Sequence, residues 1–383
     1  MTTCGNLRDG GTVAIVGAGP GGATLARLLD RRGYTVRVLE RDASPDGRHQ
    51  GGSLDLRPDS GQRAIGAAAL AETFAERSRD DAKAFRMLDA DGHEMPGQGQ
   101  ETHEDAGPEI DRGDLRAMLI EALPSGMVAW DHNVEVVERQ LDGKWRLRIE
   151  GRDAVTADLV VGADGIGSRV RAALTNVQPI YTGITMVAAY IRPELWRGSR
   201  ISDTLGEGSV MFAGANKTIF VQRCARDVIL LYYSLAVPEG WPKCAGFDLS
   251  DTGAVMAAVR ETFRDWSPRI LGMLTDVQDR FQVWPTSVMP PDYRWDSKPG
   301  LTMLGDASHV MPPFTGKGVN LALLDALDLA DALVANPGRA VADAIAGFER
   351  DMQARTSQEI RACLQVGRSA YGIDLGFDLG KPA

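Results

Sequence analysis

The chain has 383 residues, with 42 Lys and Arg against 52 Asp and Glu, so its formal net charge is -10. At 44% hydrophobic and 25% charged it has an ordinary globular composition, long enough for about two or three domains, which excludes disorder, a fibrous repeat or a disulfide scaffold. The acidic balance argues against a general nucleic-acid binder, which needs excess Lys and Arg to displace counterions from phosphates.

In chain order, Thr12 to Val16 is a short apolar run bounded by glycines, as expected of a buried parallel strand. It runs into Gly17-Ala18-Gly19-Pro20-Gly21-Gly22, then a helix over 23–32 with Leu25, Leu28 and Leu29 facing inward and Gly33 closing it. Thr35 to Leu39 follows as a second strand and ends on Glu40, completing a βαβ unit. Residues 41–59 read as a long loop and 61–77 as helix. A second helix begins near Asp111 or Asp114, with Leu115, Met118, Leu119, Ala122 and Leu123 at core spacing. Strand-like alternation covers 128–137, 144–150 and 154–161. From about 183 to 285 the chain is rich in Val, Ile, Phe and Tyr, with strands at 184–191, 209–213, 218–223 and 228–237, and reads as a largely antiparallel sheet. A helix over 253–264, a buried strand at 301–304 and long helices to about 369 complete the reading. The fold class is therefore α/β. The expected division is 1–175 and 296–383 as the two parts of a nucleotide-binding domain, with 176–295 a sheet domain between them.

Three segments carry chemistry. Gly17-x-Gly19-x-x-Gly22 lies between strand and helix, with an acid about 20 residues on, as a dinucleotide fingerprint requires. Gly17 permits the tight turn, Gly19 lets a pyrophosphate approach, and Gly22 lets the helix pack close. The helix N-terminus offers free N–H groups to phosphate, and Glu40 would accept ribose hydroxyls. The choice between FAD and NAD stays open on this segment alone. In the second, a strand over 157–161 ends at Asp164-Gly165. In the third, a strand over 301–304 ends at Gly305-Asp306, two prolines follow, and Gly316-x-Gly318 opens a helix. A carboxylate at a strand end can hold a sugar hydroxyl, and glycines at a helix start can bring N–H groups against a flat ring. His49, His93, His103, His132 and His309 show no metal-ligand spacing, no GxSxG is present, and no metal is expected. His309 reads as structural.

Together GAGPGG, ADLVVGADGIGSRVR and LGDASHVMPPFTGKGVN resemble the three signatures of the class A FAD-dependent aromatic hydroxylases. The stretch Gly51-Gly52-Ser53-Leu54-Asp55-Leu56 with Gly61-Gln62, and Pro108-Glu109-Ile110-Asp111-Arg112-Gly113-Asp114-Leu115-Arg116 with Trp130-Asp131 downstream, are similar to the TetX-type tetracycline-inactivating monooxygenases. The resemblance implies a para-hydroxybenzoate hydroxylase-like fold with a long C-terminal helix, and FAD and NADPH as cofactors. Gly17, Gly19, Gly22, Glu40 and Arg41 would hold the ADP half of FAD. Asp55, Arg116, Asp164, Gly165 and Asp306 match further flavin-contacting positions. Arg48 matches an arginine assigned to NADPH. Pro313, Phe314 and Gly316 would face the isoalloxazine and substrate, with Gly318, Val319 and Asn320 near the pyrimidine end. No side chain is implied as nucleophile, because a flavin C4a-hydroperoxide would transfer one oxygen of O2 to an aromatic, enolic or polyketide carbon.

Where the TetX-type enzymes place a Gln and a His against tetracycline, Val187 and Leu230 stand here, so the pocket is expected to be more apolar, and tetracycline stays one option among polyketides and phenols. Lys317 replaces a Gln and could either face the flavin or point outward. A reductase of the same fold and a non-catalytic carrier are the alternatives; the WxWxIP pattern of flavin halogenases is absent. The scattered cysteines (Cys4, Cys224, Cys244, Cys363) suggest a reducing compartment. With no bilayer-length apolar run and no secretory pattern at the N-terminus, a cytoplasmic protein without membrane or nucleic-acid partners is expected, and the relatives suggest a monomer.

Overall fold

The run Thr12–Val16 forms the central strand of a five-stranded sheet, all parallel, in the order Leu301–Met303, Leu159–Gly162, Thr12–Val16, Thr35–Leu39, Val128–Ala129. A computed structural model describes residues 7, 10–47, 51–80, 85–95, 107–197, 200–205, 208–241, 243–246, 248–275, 280–334 and 340–380. The strand Leu159–Gly162 is buried throughout because both faces of the sheet are covered. One face packs Ile15, Val38 and Val161 under Leu25, Leu28 and Leu29 of helix Pro20–Asp30, with Leu323 and Leu327 of helix Gly318–Val334. The other packs Ala14, Val16 and Val160 against Trp145, Leu147 and Ile149 of a three-stranded antiparallel sheet.

A second sheet of six strands has the order Arg280–Val288, Ile180–Ile191, Ile229–Ala236, Lys217–Arg223, Ser209–Gly214, Phe85–Leu88. It is antiparallel except at its edge, where Phe85–Leu88 runs parallel to Ser209–Gly214. That edge strand comes from far upstream of the other five, and the sequence reading did not include it. The strand expected to start at residue 184 begins at Ile180, with a register shift between Tyr181 and Thr185 around Gly183.

Two other expectations are corrected. The helix expected over 61–77 is two helices, Gly61–Ala67 and Ala71–Arg77, broken at Ala69, whose φ is +56°. The loop over 41–59 contains a short strand, Ser53–Asp55, paired antiparallel with Glu109–Asp111. The helix expected near 111 or 114 follows that second strand directly, as Arg112–Glu121. The last helix, Val341–Tyr371, is 31 residues long and ends at Gly372 in the left-handed conformation. No described helix is long and apolar enough to cross a membrane.

Candidate functional site

The glycine loop is shaped by three separate constraints. Gly17 has φ +102°, and a Cβ there would lie 2.3 Å from the Ala163 carbonyl oxygen. A Cβ at Gly22 would meet the Gly17 carbonyl oxygen at 2.1 Å. These two are glycine because protein backbone comes against them. Gly19 is different: a Cβ there would meet nothing within 4 Å, and the same holds at Gly318, where the later helix begins. Protein packing does not require glycine at either position, as expected where a ligand's phosphate or ring approaches the main chain.

Glu40, buried at the end of its strand, accepts from the backbone N–H of Ala18 (2.6 Å) and of Asp42 (2.9 Å). Arg116 is buried behind it and donates to the carbonyls of Ala18 (3.1 Å) and Pro45 (2.6 Å) and to Asp42 (3.1 Å), its guanidinium lying 5.4 Å from the Trp130 ring centroid. The hydrogen bonds of Arg116 tie the glycine loop to the segment after Glu40; they do not present it to the cleft. Arg112, one helical turn earlier, is the arginine that sequence reading missed. Its side chain lies against Gly51, it contributes electrostatically at both Asp306 and Tyr232, and its guanidinium makes no hydrogen bond or ion pair among the described residues. With no protein acceptor among the described residues, its guanidinium is available to a ligand. Arg41 is exposed, and Arg48 lies outside the described residues.

Asp164 uses both oxygens locally, accepting from the Ser168 hydroxyl (2.5 Å) and the Arg169 N–H (2.7 Å) at the start of the helix Arg169–Leu174, whose N-cap is Ser168. Burial raises its carboxyl above the usual range in spite of these bonds. Gly165, with φ +76°, makes the turn. Asp306 follows Gly305 at a strand end. It is open to solvent through the cleft yet ringed by protein, and this desolvation pushes its carboxyl upward. Beneath it His309 is buried, with Nε2 2.6 Å from Asp325, which also accepts from the Gly305 N–H (3.1 Å) and from Arg355 (2.8 Å). Burial opposes protonation of His309, but the Asp325 charge outweighs it and holds the imidazole above its ordinary value. This buried pair fixes the Gly305–Asp306 turn, the structural role expected of His309.

The segment Pro313–Gly318 is held from two sides. Asn320 accepts from the Arg57 N–H (2.8 Å) and donates to the Asp55 carbonyl (2.9 Å), so its side chain fixes the loop that carries Asp55. The Asp55 carboxylate lies 3.8 Å from the point a Cβ at Gly316 would occupy. Val319 is half-buried in the first turn of the helix. Lys317 is ion-paired to Glu359 of the last helix (2.8 Å), which holds its ammonium against that helix. Phe314 stacks on Tyr371 of that helix at 4.4 Å and 25°, close to Gly367, while Pro313 and Gly316 are exposed.

The face of the six-stranded sheet turned toward this segment carries a row of rings: Phe85 to Phe220 (6.4 Å), Phe220 to Tyr232 (6.0 Å) and Tyr232 to Trp284 (5.5 Å). Tyr232 and Trp284 pack with Phe314 around Ile184 and Met186. Sequence reading missed the row; its signal was alternation, since Phe220 and Tyr232 are register partners. Two expected pocket residues are corrected. Val187 points to the opposite face, fully buried with Ile219 and Tyr233, because successive strand residues alternate sides. Leu230 is on the row's face but fully buried under Gly52, where a Cβ would lie 2.7 Å from both Leu230 and the Tyr232 hydroxyl. Outside the cleft, Asp89, Asp91 and His93 share an exposed turn, whose shape follows from Asp89 accepting the N–H groups of both others.

The open glycines, the buried Glu40 at the end of the second strand, Arg112 without a side-chain partner among the described residues and the exposed Asp306 together mark a flavin dinucleotide-binding fold with its cleft against a sheet. The family described as an FAD binding domain matches residues 11–190 and 280–362, and the chain belongs to it. It is an FAD-dependent monooxygenase of the class A aromatic-hydroxylase type. It is 29% identical to the monooxygenase asqM of Emericella nidulans, over 84% of this chain and 83% of that one. It is 28% identical to the 6-hydroxynicotinate 3-monooxygenase of Pseudomonas fluorescens, over 84% and 82%. In fold it is similar to a putative FAD-containing monooxygenase of Photorhabdus luminescens, with a TM-score of 0.79, 22% identity, and coverage of 94% of this chain and 98% of that one.

Proposed function

We propose that this enzyme uses NADPH and O2 to insert one oxygen atom into a small, planar, electron-rich aromatic or enolic substrate, working as a monomer in the cytoplasm. The observation that carries this reading is the ring row Phe85–Phe220–Tyr232–Trp284 on the sheet face toward Phe314 and Gly316. A flat substrate laid along it gains offset-stacked contacts, each worth about 1 kcal/mol beyond the area buried. When bound, FAD would supply the redox and oxygen-transfer chemistry, so the residues of the chain bind, orient and exclude water.

Gly17, Gly19, Gly22 and the helix start would take the pyrophosphate, Glu40 the adenosine ribose, and Asp306 a flavin-chain hydroxyl. The Arg112 guanidinium would meet an acceptor on the flavin. Arg116 holds the loop from behind. Phe314 is braced by Tyr371, so its ring is presented in one orientation. Tetracycline is less favoured than a smaller ring system, since neither Val187 nor Leu230 reaches the cleft and Tyr232 closes over Gly52. The free thiols Cys224, Cys244 and Cys363 fit a reducing compartment.

The test is incubation of the FAD-loaded full chain with NADPH, air and a panel of 6-hydroxynicotinate, 3-amino-4-hydroxybenzoate and tetracycline, followed by mass spectrometry. NADPH-dependent gain of one oxygen atom in a ring substrate is the expected result. Failure to bind FAD or to oxidise NADPH would overturn the reading.

A further inference from the structure

The strands Ser53–Asp55 and Glu109–Asp111 pair so that Ser53 lies opposite Asp111 and Asp55 opposite Glu109. Leu54 and Ile110, between them, point into the core. The other face therefore gathers a hydroxyl and three carboxylates. At one end it touches the flavin loop, through Asp55 beside Gly316. At the other it meets Arg79, which lies 2.9 Å from the Ser53 hydroxyl, 3.3 Å from Asp111 and 3.7 Å from Glu109.

Glu109 stands out on this face. One of its oxygens, Oε2, is buried without a hydrogen-bond partner, since Arg79 at 3.7 Å is outside hydrogen-bond reach. The Ser53 hydroxyl lies near it and favours its ionised form, and Ser53 is itself held at both backbone groups by Gln222, each at 3.2 Å. An ionised carboxylate with a buried bare oxygen is poorly placed, whereas a protonated one can carry its hydrogen there. The groups facing it are Ser53 and Asp55 from one strand, Asp111 from its own, Arg79 from the segment after the helix Ala71–Arg77, and Cys224 from the sheet. Burial first, then Asp55 and Asp111, raise its carboxyl to about 7 against the opposing pull of Ser53 and Arg79.

We propose that Glu109 supplies the proton each turnover consumes, releasing it along the polar face toward Asp55 and Gly316 and regaining one from solvent on the Arg79 side. This rests on the monooxygenase reading, in which reduced nicotinamide, one proton, O2 and a C–H bond give oxidised nicotinamide, a C–OH bond and water. The hydride supplies two electrons and one oxygen atom leaves as water, so one proton must come from outside the reactants. Because Glu109 acts through Asp55, it is a positioning residue, and its signature is a pH profile.

The experiment follows NADPH-driven oxygen consumption by the FAD-loaded full chain across the neutral range, together with the infrared carboxyl band of the oxidised holoprotein. The rate is expected to fall as pH rises through about 7, where the acid form is lost. Glu109→Gln should be about a hundredfold slower below that pH and lose the limb, and Glu109→Asp should restore it. Ser53→Ala, which removes a hydroxyl that favours the ionised form, should move the limb upward and serves if Glu109→Gln fails to fold. A protonated-carboxyl band titrating at about 7 should vanish in Glu109→Gln. A limb that survives in Glu109→Gln, a limb that stays put in Ser53→Ala, or no such band in the parent protein would overturn the proposal. An inactive parent protein would sink the monooxygenase reading instead, and the infrared titration would still decide the state of Glu109.

Discussion

The two faces of the six-stranded sheet are made by the same strands and do opposite jobs. The rear face, with Val187, Ile219, Leu231, Tyr233 and Leu235, is fully buried under the helices Thr252–Thr262 and Pro268–Thr275, and its contacts are almost wholly apolar. The front face interleaves Phe220, Tyr232 and Trp284 with Gln222, Ser234 and Gln282, several of them only half-buried. Close packing with no polar groups gives stability, while rings with polar neighbours and incomplete burial leave contacts for a ligand. One residue's shift in a strand exchanges these roles.

Substitutions can break this comparison. Val187→Gln places an amide, fully buried, in an apolar cluster, and a loss of roughly 3 kcal/mol or more in urea-measured stability is expected. If Val187 lined the cleft, that change would be mild and would alter substrate preference, which steady-state kinetics on the folded fraction would show. Next in size is an effect of pH on the unmutated protein. Glu109 has a folded-state pKa of about 7 against an ordinary 4.5, so the folded state holds a proton that the unfolded chain releases. Its contribution is fully present below about 4.5 and is lost as pH rises through about 7, a fall of roughly 3 kcal/mol. Urea midpoints at the two ends should differ accordingly in the parent protein, and the Glu109 share of that difference should be absent in Glu109→Gln.

Smaller effects are expected on the front face. Trp284→Ala should weaken binding of aromatic ligands by about tenfold, read by ligand titration, with a lesser change in stability than at Val187. Tyr371→Phe removes the bond accepted from Thr218 (3.1 Å) and should cost about 1 kcal/mol. Its ring still stacks on Phe314, so oxygen transfer should persist; a large loss would assign the hydroxyl a role beyond holding the helix.

The parallel sheet and its glycine loop could be read from the chain because a buried strand, a helix with Leu25, Leu28 and Leu29 inward and an acid after the second strand are local patterns. The front face could not. Val187 and its immediate neighbours Met186 and Ala188 are all apolar, so alternation gave no sign of which residues face the cleft. Arg112 and Arg116 lie one turn apart on the same helix. Four-residue spacing puts both on one face, yet Arg112 is half-buried and Arg116 buried, and the strand Glu109–Asp111 before them is a three-residue element too short to show a period. The break at Ala69 left no proline or glycine at the site to mark it.

The strand Leu301–Met303 pairs with Leu159–Gly162, and it is the last to join the parallel sheet. Asp306, Phe314 and the helix carrying Asn320 all follow it in the chain. On the ribosome, then, the glycine loop and the rings Phe85, Phe220 and Tyr232 emerge before the elements that close the cleft between them. Until the later segment arrives, the row's rings and the edge of Leu159–Gly162 stay uncovered, a long-lived exposure that contacts between distant parts of a chain impose. Early availability of the dinucleotide, held first by the N-terminal loop, would shorten that interval, so flavin supply during synthesis should govern how much of the protein is recovered soluble.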